Sequence, residues 1–319
     1  TVAGVEIATK PDSEDSSLVP IKPMQTFLDR LKARFAVIRQ GGQTPKIAVV
    51  GGGIGSIEVA FCLDQRLQVK PESLGFEGEP QYEMSLVTGA ARVGTGLIES
   101  TQDKIEQQMV SRSIQSKAGS RVAKIESSLL SFRDGSTLDA NVVIWATSAV
   151  APAILDALDF EKDDKGFLLT RSTLQLKSHD RIFAVGDTGT IENKNLPKAG
   201  VYAVRQGPVL WDNIRRVLWK RKLVDYVPQH GFLKLVNTAD GKSIAEYGSR
   251  SFHARWCWWL KDRIDKKFMR MYQDYSLMEM TATVTKEDQE DAMRCLGCGG
   301  KIGSKLLSQV LGELEIPQH

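Results

Sequence analysis

The clearest pattern in this chain is an apolar run that meets a glycine-rich turn and then an amphipathic segment. The run Ile47-Ala48-Val49-Val50 is uncharged and largely β-branched, as is typical of a parallel strand buried on both faces. Gly51-Gly52-Gly53 follows it, and the residues from Ser56 to about Leu67 have helical apolar spacing. The pattern predicts a strand, a tight turn and a helix.

This turn has the spacing of a phosphate-binding loop. Gly51 allows the chain to reverse tightly, and Gly53 has no Cβ, so a pyrophosphate can approach the backbone amides of the next helix. Ser56 stands where a third glycine is usual, a position that needs a small residue for close helix-strand packing. Three adjacent glycines also occur in ordinary loops, so the prediction depends on the rest of the chain.

The flanking segments continue the alternation of strands and helices. Residues 1 to 20 are polar and predict a surface connection, whereas Ile21 to Gln40 has apolar residues at helical spacing and ends at Gly41-Gly42. Beyond the glycine loop, we expect a helix over Thr101 to Ser111 and strands at Met84–Thr88, Arg121–Ile125, Leu129–Phe132 and Val142–Trp145.

The end of the second strand bears on coenzyme choice. An NAD site usually places Asp or Glu there to hold the ribose 2'-hydroxyl, whereas an NADP site uses a neutral residue with a nearby Arg. Here the position falls near Thr88, and Arg92 follows shortly after. The sequence therefore allows NADPH as well as NADH as the coenzyme. Arg92 could equally be a solvated surface residue with no role in binding.

A second candidate site lies in Arg181-Ile182-Phe183-Ala184-Val185-Gly186-Asp187. An apolar strand that ends in Gly-Asp lets the backbone approach a ligand and presents a carboxylate to ribityl or ribose hydroxyls. The alternative is an Asp that caps a core strand. The order of the two motifs along the chain favours the ligand-binding interpretation.

Composition narrows the class of protein. The chain has 319 residues, 42% hydrophobic and 25% charged, which is typical of an ordinary globular protein of two or three units. A net charge of +3 gives no reason to expect a nucleic-acid partner. No apolar stretch approaches the roughly 20 residues that span a bilayer. Four cysteines are too few for a disulfide framework, which favours a reducing compartment and a cytoplasmic location.

The C-terminal third predicts a small α+β unit. Asp240-Gly241 lies between two strand-like runs and indicates a hairpin. A basic, aromatic helix then opens at Arg255-Trp256-Cys257-Trp258-Trp259 and runs to Met271. Such a helix would either rest on a membrane interface or pack against the rest of the protein, and we favour packing.

Cys295 and Cys298 form a CxxC pair near the C-terminus. A zinc site would need two further ligands, and neither a second CxxC nor a His pair exists, so no metal site is expected. A thioredoxin-like dithiol would need a strand directly before it, where the chain is polar. A glycine-rich connector with incidental cysteines is a further alternative.

Taken together, these motifs resemble the flavin-dependent pyridine nucleotide-disulfide oxidoreductases and type II NADH dehydrogenases. The resemblance runs from Ile47 to about Met271 and implies an NAD(P)H site and an FAD site. It makes Gly186 and Asp187 the second FAD motif and sets Val201 and Tyr202 beside the isoalloxazine. In type II dehydrogenases an Ala-Gln pair for quinone stands where this chain has Gly200-Val201. The cofactor-binding residues it implies are Gly51, Gly53, Gly55, Ser56, Glu58, Thr88, Arg92, Ala146, Thr147, Gly186, Asp187, Val201 and Tyr202.

The last segment resembles a different family. Gly297-Cys298-Gly299-Gly300-Lys301-Ile302 is similar to the start of selenide, water dikinase, whose catalytic Cys or Sec and essential Lys would be Cys298 and Lys301. The resemblance implies ATP and Mg²⁺ only for a kinase part that lies beyond this sequence. The resemblance to the oxidoreductases, whose first FAD glycine fingerprint has no counterpart here, implies that the chain begins inside the FAD domain. We therefore expect it to bind NAD(P)H better than FAD.

The predicted fold class is α/β, with a Rossmann-like three-layer nucleotide-binding domain inserted in a partial FAD domain and a small α+β C-terminal unit. The predicted boundaries are 1–44 for the end of the first FAD half and a linker helix, 45–148 for the NAD(P)H domain, 149–216 for the second FAD half, 217–290 for the C-terminal interface domain and 291–319 for the kinase start.

The predicted function is hydride transfer from NAD(P)H to FAD and on to an external acceptor, linked to selenium metabolism. The alternative is a non-catalytic dinucleotide-binding module that regulates the kinase. The expected partner is a small-molecule electron acceptor. A homodimer, peripheral membrane contact and an organellar location directed by a preceding transit peptide stay open.

Overall fold

The computed structural model describes residues 5–7, 16–147, 149–194, 196–229 and 231–273. The chain divides into two units, Thr1–Asp265 and Lys266–His319, and of the second unit only 266–273 are described. Ser148, Cys295, Cys298, Lys301 and the predicted kinase start at 291–319 therefore lie outside the described residues.

The first unit alternates strands and helices along most of its length. The strands are β1 Glu6–Ile7, β2 Leu18–Pro20, β3 Lys46–Val50, β4 Glu83–Val87, β5 Gln115–Lys117, β6 Val122–Ile125, β7 Leu129–Phe132, β8 Thr137–Asp139, β9 Val142–Trp145, β10 Leu168–Thr170, β11 Gly189–Ile191, β12 Lys234–Asn237, β13 Ser243–Tyr247 and β14 Arg250–Ala254. The α-helices of the described residues are α1 Phe27–Gln40, α2 Ile54–Val69, α3 Glu99–Ser111, α4 Gly200–Leu218 and α5 Arg255–Gln273, the last of which continues past Asp265.

Five parallel strands form the central sheet, in the order β2-β9-β3-β4-β5. Val50 at the end of β3 is in register with Val87 of β4 and with Trp145 of β9. The three strands therefore end at one level, and the loops that follow them meet at the same edge of the sheet.

The sheet is covered on both faces, which gives three layers. On one face, the apolar side chains of α1, α2 and α3 pack on alternate strand residues, among them Ile47 and Val49. On the other face, Ala48, Val50 and Val143 pack against the sheet β1-β6-β7-β8. Burial on both faces explains why Ile47 to Val50 of β3 and Val142 to Trp145 of β9 are uninterrupted apolar runs. The Rossmann-like α/β architecture predicted from the sequence is confirmed.

One prediction is wrong at the N-terminus. The polar composition of residues 1 to 20 predicts only a surface connection, but β2 is an edge strand of the central sheet, with Leu18 and Val19 buried. The polar residues around this three-residue strand conceal it in the sequence. Pro20 is tolerated there because an edge strand needs hydrogen bonds on one side only.

The segment before Gly186-Asp187 also differs from its prediction. The apolar run Ile182 to Val185 predicts a strand, but only Phe183 makes a β-bridge, to Gln175, and Gly186–Thr188 forms a 3-10 turn. The backbone bonds of Ile182 and Ala184 go to Leu176 and Leu174, so the segment is half of an irregular hairpin. An apolar run alone does not specify how many strands flank it.

The C-terminal part of the first unit is an antiparallel sheet in the order β12-β13-β14. The hairpin predicted at Asp240-Gly241 is confirmed, since Asn237 pairs with Ser243 across it. Val236 and Ile244 are buried in the same core as α2. We expected the tryptophans of α5 to pack, but Trp256, Trp258 and Trp259 are 53%, 39% and 57% exposed, whereas Cys257 is buried.

Candidate nucleotide-binding site

The glycine loop after β3 is held tightly against the end of β9. Gly51 has φ +151°, and a Cβ built on it would lie 2.3 Å from the carbonyl oxygen of Ala146. A Cβ on Gly52 would lie 2.3 Å from Oγ1 of Thr88. Both glycines are therefore required by the protein's own packing.

The next two glycines of the motif are different. Gly53 is the N-cap of α2 in an extended conformation, and Gly55 lies in the first turn of that helix. A Cβ built on either residue would have no heavy atom within 4 Å. The first amides of α2, which have no intrahelical partner, thus face open space suited to an anionic group.

Ser56 does more than fill the third glycine position. Its buried hydroxyl lies 2.8 Å from the carbonyl oxygen of Gly51 and 2.7 Å from that of Gly53, so its single proton is within hydrogen-bond reach of both acceptors. The hydroxyl closes the loop onto the first turn of α2. The serine therefore stabilises the loop conformation.

The end of β4 lies beside this loop. Thr88 is buried, and its hydroxyl accepts a hydrogen bond from Ala90 N–H. Arg92 donates to both oxygens of Glu106, at 3.0 and 2.7 Å, and to Asp103 at 2.7 Å, and these bonds raise the pKa of its guanidinium. Both carboxylates belong to α3, so Arg92 is already engaged in holding this loop to the helix.

A cleft of about 660 Å³ opens beside the glycine loop. Its walls include four residues that the sequence predicts to bind cofactor, namely Gly55, Glu58, Ala146 and Thr147. The wall also includes Trp145, Val150, Ile21 and Met24, which make much of it apolar. This combination of apolar walls and a few polar groups is typical of sites for cofactors.

Glu58 connects the cleft to the C-terminal sheet. Its Oε1 accepts a hydrogen bond from Asn237 N–H at 2.8 Å and lies 3.3 Å from Nζ of Lys261 on α5. Burial lowers the pKa of Lys261, but the charges of Glu58 and Asp265 outweigh it, so the net shift is upward. The carboxylate is thus fixed from two sides at the wall of the cleft.

Gly186 and Asp187 rest on the start of α4. Gly186 has φ +61°, its N–H donates to Oε1 of Gln206 at 2.7 Å, and a Cβ on it would approach that of Ala203 within 3.1 Å. The Asp187 side chain is 50% exposed and lies 3.9 Å from Nζ of Lys22, which is a lining residue of the cleft. Asp187 therefore faces the same region of the molecule as the cleft.

Val201 and Tyr202 lie in the first turn of α4. Val201 is partly exposed, whereas Tyr202 is buried and packs edge-on against Phe232, with 5.8 Å between ring centroids. The preceding Lys198 donates to Gly189 O and, at 3.0 Å, to Thr190 Oγ1, and burial lowers the pKa of its ammonium. Lys198 is thus held just before α4, where its charge interacts with that of Asp187.

The structure brings the predicted residues together at the ends of the central strands and at the start of α4. Sequence reasoning did not assign Lys22, Trp145 or Asn237 to the site. Trp145 is the last residue of β9, so the rule that ligands bind at the carboxyl ends of parallel strands would have found it. No sequence signal identifies Lys22 or Asn237, since both reach the site through tertiary contacts.

The parallel sheet and the glycine loop at the carboxyl ends of its strands define a Rossmann-type dinucleotide-binding fold. Residues 18–207, more than half of the chain, match the family model described as pyridine nucleotide-disulphide oxidoreductase, and the chain belongs to that family.

The curated relatives that this chain matches are also oxidoreductases. A type II NADH:quinone oxidoreductase of Haemophilus influenzae is 24% identical over 155 residues, 47% of this chain and 34% of the relative. An alternative NAD(P)H-ubiquinone oxidoreductase C1 of Arabidopsis thaliana is 24% identical over 200 residues, 58% of this chain and 38% of the relative. The chain thus spans little more than a third of the length of these relatives.

Solved structures share the fold. The sulfide:quinone oxidoreductase of Aquifex aeolicus superposes with a TM-score of 0.65 at 17% identity, covering 84% of this chain and 66% of that one. NDH2 from Plasmodium falciparum, in complex with NADH, gives a TM-score of 0.65 at 11% identity, covering 79% and 69%. Of the helices in the described part of the chain, none combines the length and apolar character that crossing a bilayer requires.

Proposed function

We propose that this protein is a flavin-dependent NAD(P)H oxidoreductase that delivers electrons to an external small-molecule acceptor. The observation that carries the proposal is the open first turn of α2. Gly53 and Gly55 leave free space at its amides, while Gly51 and Gly52 are packed against the protein. This is the arrangement that a dinucleotide pyrophosphate needs, and the cleft beside it has room for the reacting rings.

The chain's own residues would bind and orient the two cofactors. The amides of α2 would hold the pyrophosphate of NAD(P)H, and Ala146, Thr147 and Glu58 would line the place of its nicotinamide. FAD, when bound, supplies the hydride-accepting chemistry of this family. Asp187 fits a flavin because its carboxylate is half-exposed and its ion pair with Lys22 is long, so it is available to hydroxyl donors.

A flavin-reduction experiment tests the proposal. The purified chain, supplied with FAD, is mixed with NADPH or NADH under anaerobic conditions, and the visible absorbance of the flavin is followed. We expect bleaching that depends on the nucleotide. The variant Asp187→Ala should weaken FAD retention without changing the unfolding midpoint, because the carboxylate is half-exposed and its ion pair with Lys22 is long. A flavin that stays oxidised with both nucleotides contradicts the proposal.

The same proposal extends to the chemical class of the electron acceptor. The relatives' names specify quinone acceptors, but this chain has Gly200 and Val201 where type II dehydrogenases carry their Ala-Gln pair. We therefore include selenium and sulfur species beside quinones. The exposed tryptophans of α5 are compatible with peripheral membrane contact or with a second copy of the chain.

The alternative is a non-catalytic dinucleotide-binding module. One reason to consider it is Ser56 at a glycine position, and the bonds of the Ser56 hydroxyl to the loop carbonyls weaken that reason. Turnover with several acceptors distinguishes the two functions. Nucleotide binding without any turnover would favour the regulatory module.

We also propose that Cys298 and Lys301 belong to a second, selenophosphate-forming activity of a longer protein. The resemblance of Gly297 to Ile302 to the start of selenide, water dikinase supports it, because a thiolate suits selenide and an ammonium suits phosphate. In the full-length protein, Cys298→Ser should abolish selenide-dependent ATP hydrolysis and leave flavin reduction at the parental rate. Loss of flavin reduction in that variant would instead mean that this segment contributes to the flavin-reducing site.

A further inference from the structure

We propose that Arg121 binds the 2'-phosphate of NADPH and gives this protein a preference for NADPH over NADH. The inference rests on the proposed nucleotide site and adds the residue that selects the coenzyme. Arg121 takes the place of Arg92, the arginine that the sequence alone offers for this role.

The end of β4 lies where the adenosine ribose of a bound dinucleotide is expected. Gly52 of the phosphate loop is packed against Thr88, since a Cβ on Gly52 would lie 2.3 Å from the Thr88 hydroxyl oxygen. In Rossmann-type sites the residue at this strand end contacts the ribose 2' position. Thr88 and the residue after it, Gly89, therefore mark the place of the 2' substituent.

Arg121 lies directly over Gly89. A Cβ built on Gly89 would lie 3.3 Å from Nε of Arg121 and 3.4 Å from its Cβ. The backbone holds this arrangement, because Ser120 N–H donates to Thr88 O at 2.9 Å and Gly119 N–H donates to Ala90 O at 2.7 Å. The connection between β5 and β6 thus brings a guanidinium to the end of β4, although Arg121 is far from Thr88 along the chain.

The charges at this strand end favour a phosphate. The residues from Thr88 to Ala91 include no carboxylate that would accept a hydrogen bond from a ribose 2'-hydroxyl. Arg92 is engaged by Glu106 and Asp103. Within the described part of the chain, the exposed Arg121 guanidinium has neither a hydrogen bond nor an ion pair, so it is available to a ligand.

A second arginine strengthens the argument. Arg133 N–H donates to Arg121 O at 2.9 Å, which places Arg133 opposite Arg121, one residue beyond the first pair of the antiparallel strands β6 and β7, Val122 and Phe132. Residues opposite each other in such a pair carry their side chains on the same face, and two like charges there repel. Bound phosphate would relieve this repulsion, and it would accept planar hydrogen bonds from a guanidinium.

Coenzyme fragments provide the direct test. The 319-residue chain is titrated calorimetrically with 2',5'-ADP and with 5'-ADP, and then with NADPH and NADH. We expect the wild type to bind the 2'-phosphorylated member of each pair more tightly. Arg121→Ala should weaken 2',5'-ADP and NADPH about tenfold to a hundredfold and leave NADH unchanged, as for the loss of a charge-assisted hydrogen bond.

Two further variants make the result specific. Arg250→Ala, on β14, removes another exposed arginine and should leave the NADPH to NADH ratio unchanged. The inference is overturned if Arg92→Ala removes the preference for NADPH while Arg121→Ala keeps it. It is also overturned if the wild type binds NADPH and NADH equally. In both cases the proposed nucleotide site itself is still supported, because the coenzymes bind. If the wild type binds none of the four ligands, the proposed nucleotide site itself fails and the inference fails with it.

Discussion

Oε1 of Glu58, on the helix that follows the phosphate loop, accepts a hydrogen bond of 2.8 Å from the backbone N–H of Asn237 in the C-terminal sheet. The same oxygen lies 3.3 Å from the ammonium of Lys261. A carboxylate in the cleft wall therefore joins the nucleotide-binding layer to the sheet and the helix that follow it. Its position is set by three elements that are distant in sequence.

Glu58→Ala should destabilise the protein by about 1–3 kcal/mol, because it leaves the backbone N–H of Asn237 without its acceptor and removes one of the two carboxylates that pair with Lys261. Glu58→Gln keeps an amide oxygen for Asn237 and should cost less. Urea unfolding of the three proteins measures both effects. Equal stability of wild type and Glu58→Ala would mean that the contact contributes nothing to the folded state.

The acid sensitivity of the fold should depend on Glu246. This buried carboxylate accepts hydrogen bonds from Lys234 Nζ at 2.7 Å and from Ile98 N–H at 2.9 Å, at the start of α3. Burial by itself would raise the pKa of Glu246, but these bonds outweigh it, so the pKa lies below the ordinary value of 4.5. Its stabilising contribution is therefore full above pH 4.5 and is lost as the pH falls through the lowered pKa.

Glu246→Gln tests this pH dependence. The variant should be less stable than wild type by about 2 kcal/mol at neutral pH, because Lys234 loses its buried partner. The difference should shrink on acidification below pH 4.5, where wild-type Glu246 becomes protonated. A stability difference that stays constant from neutral to strongly acidic pH would contradict the assignment.

Gly51→Ala should disrupt folding. The added methyl group would lie 2.3 Å from Ala146 O, and the backbone at this position has φ +151°. We expect a loss of at least about 3 kcal/mol in the free energy of unfolding, since neither β3 nor β9 can move without breaking the sheet. Thermal unfolding measures it. A variant as stable as wild type would show that the loop has freedom to relax.

Ser56→Ala separates packing from hydrogen bonding at the third glycine position. Alanine keeps the small volume between α2 and β3 but removes the hydroxyl that binds the carbonyl oxygens of Gly51 and Gly53. The expected loss is about 1 kcal/mol, together with weaker nucleotide binding, because the loop is less fixed. Ser56→Gly should weaken nucleotide binding more than Ser56→Ala, since glycine also frees the backbone. Chemical unfolding and nucleotide titration of both variants measure these effects, and wild-type affinity in both would show that the hydroxyl does not fix the loop.

The elements of the fold that could be predicted from the sequence are those specified by residues close together along the chain. The uninterrupted apolar runs of β3 and β9 and the turn at Gly51 to Gly53 specify a buried parallel strand pair and its phosphate loop. The turn signal Asp240-Gly241 likewise predicts the hairpin of β12 and β13, in which residues 238 to 242 connect the two strands.

The parts that sequence did not predict depend on contacts between distant segments. The strand β2 is three residues long and pairs only along β9, so its own composition carries little signal. Arg121 reaches Gly89 through the β5-β6 connection, and no spacing rule links those two positions. The engagement of Arg92 by α3 is equally invisible, because an exposed arginine and a paired one look the same in a sequence.

The most direct test of the central claim is a calorimetric titration of wild type and Gly53→Val with NADPH and NADH. A Cβ at Gly53 meets no protein atom within 4 Å, but a branched side chain there occupies the space in front of the first amides of α2. The account predicts saturable binding to wild type and no detectable binding to Gly53→Val, whose stability should fall by no more than about 1 kcal/mol, the usual cost of changing an N-cap. Unchanged affinity in a folded Gly53→Val protein would contradict the account and move the nucleotide site away from this loop.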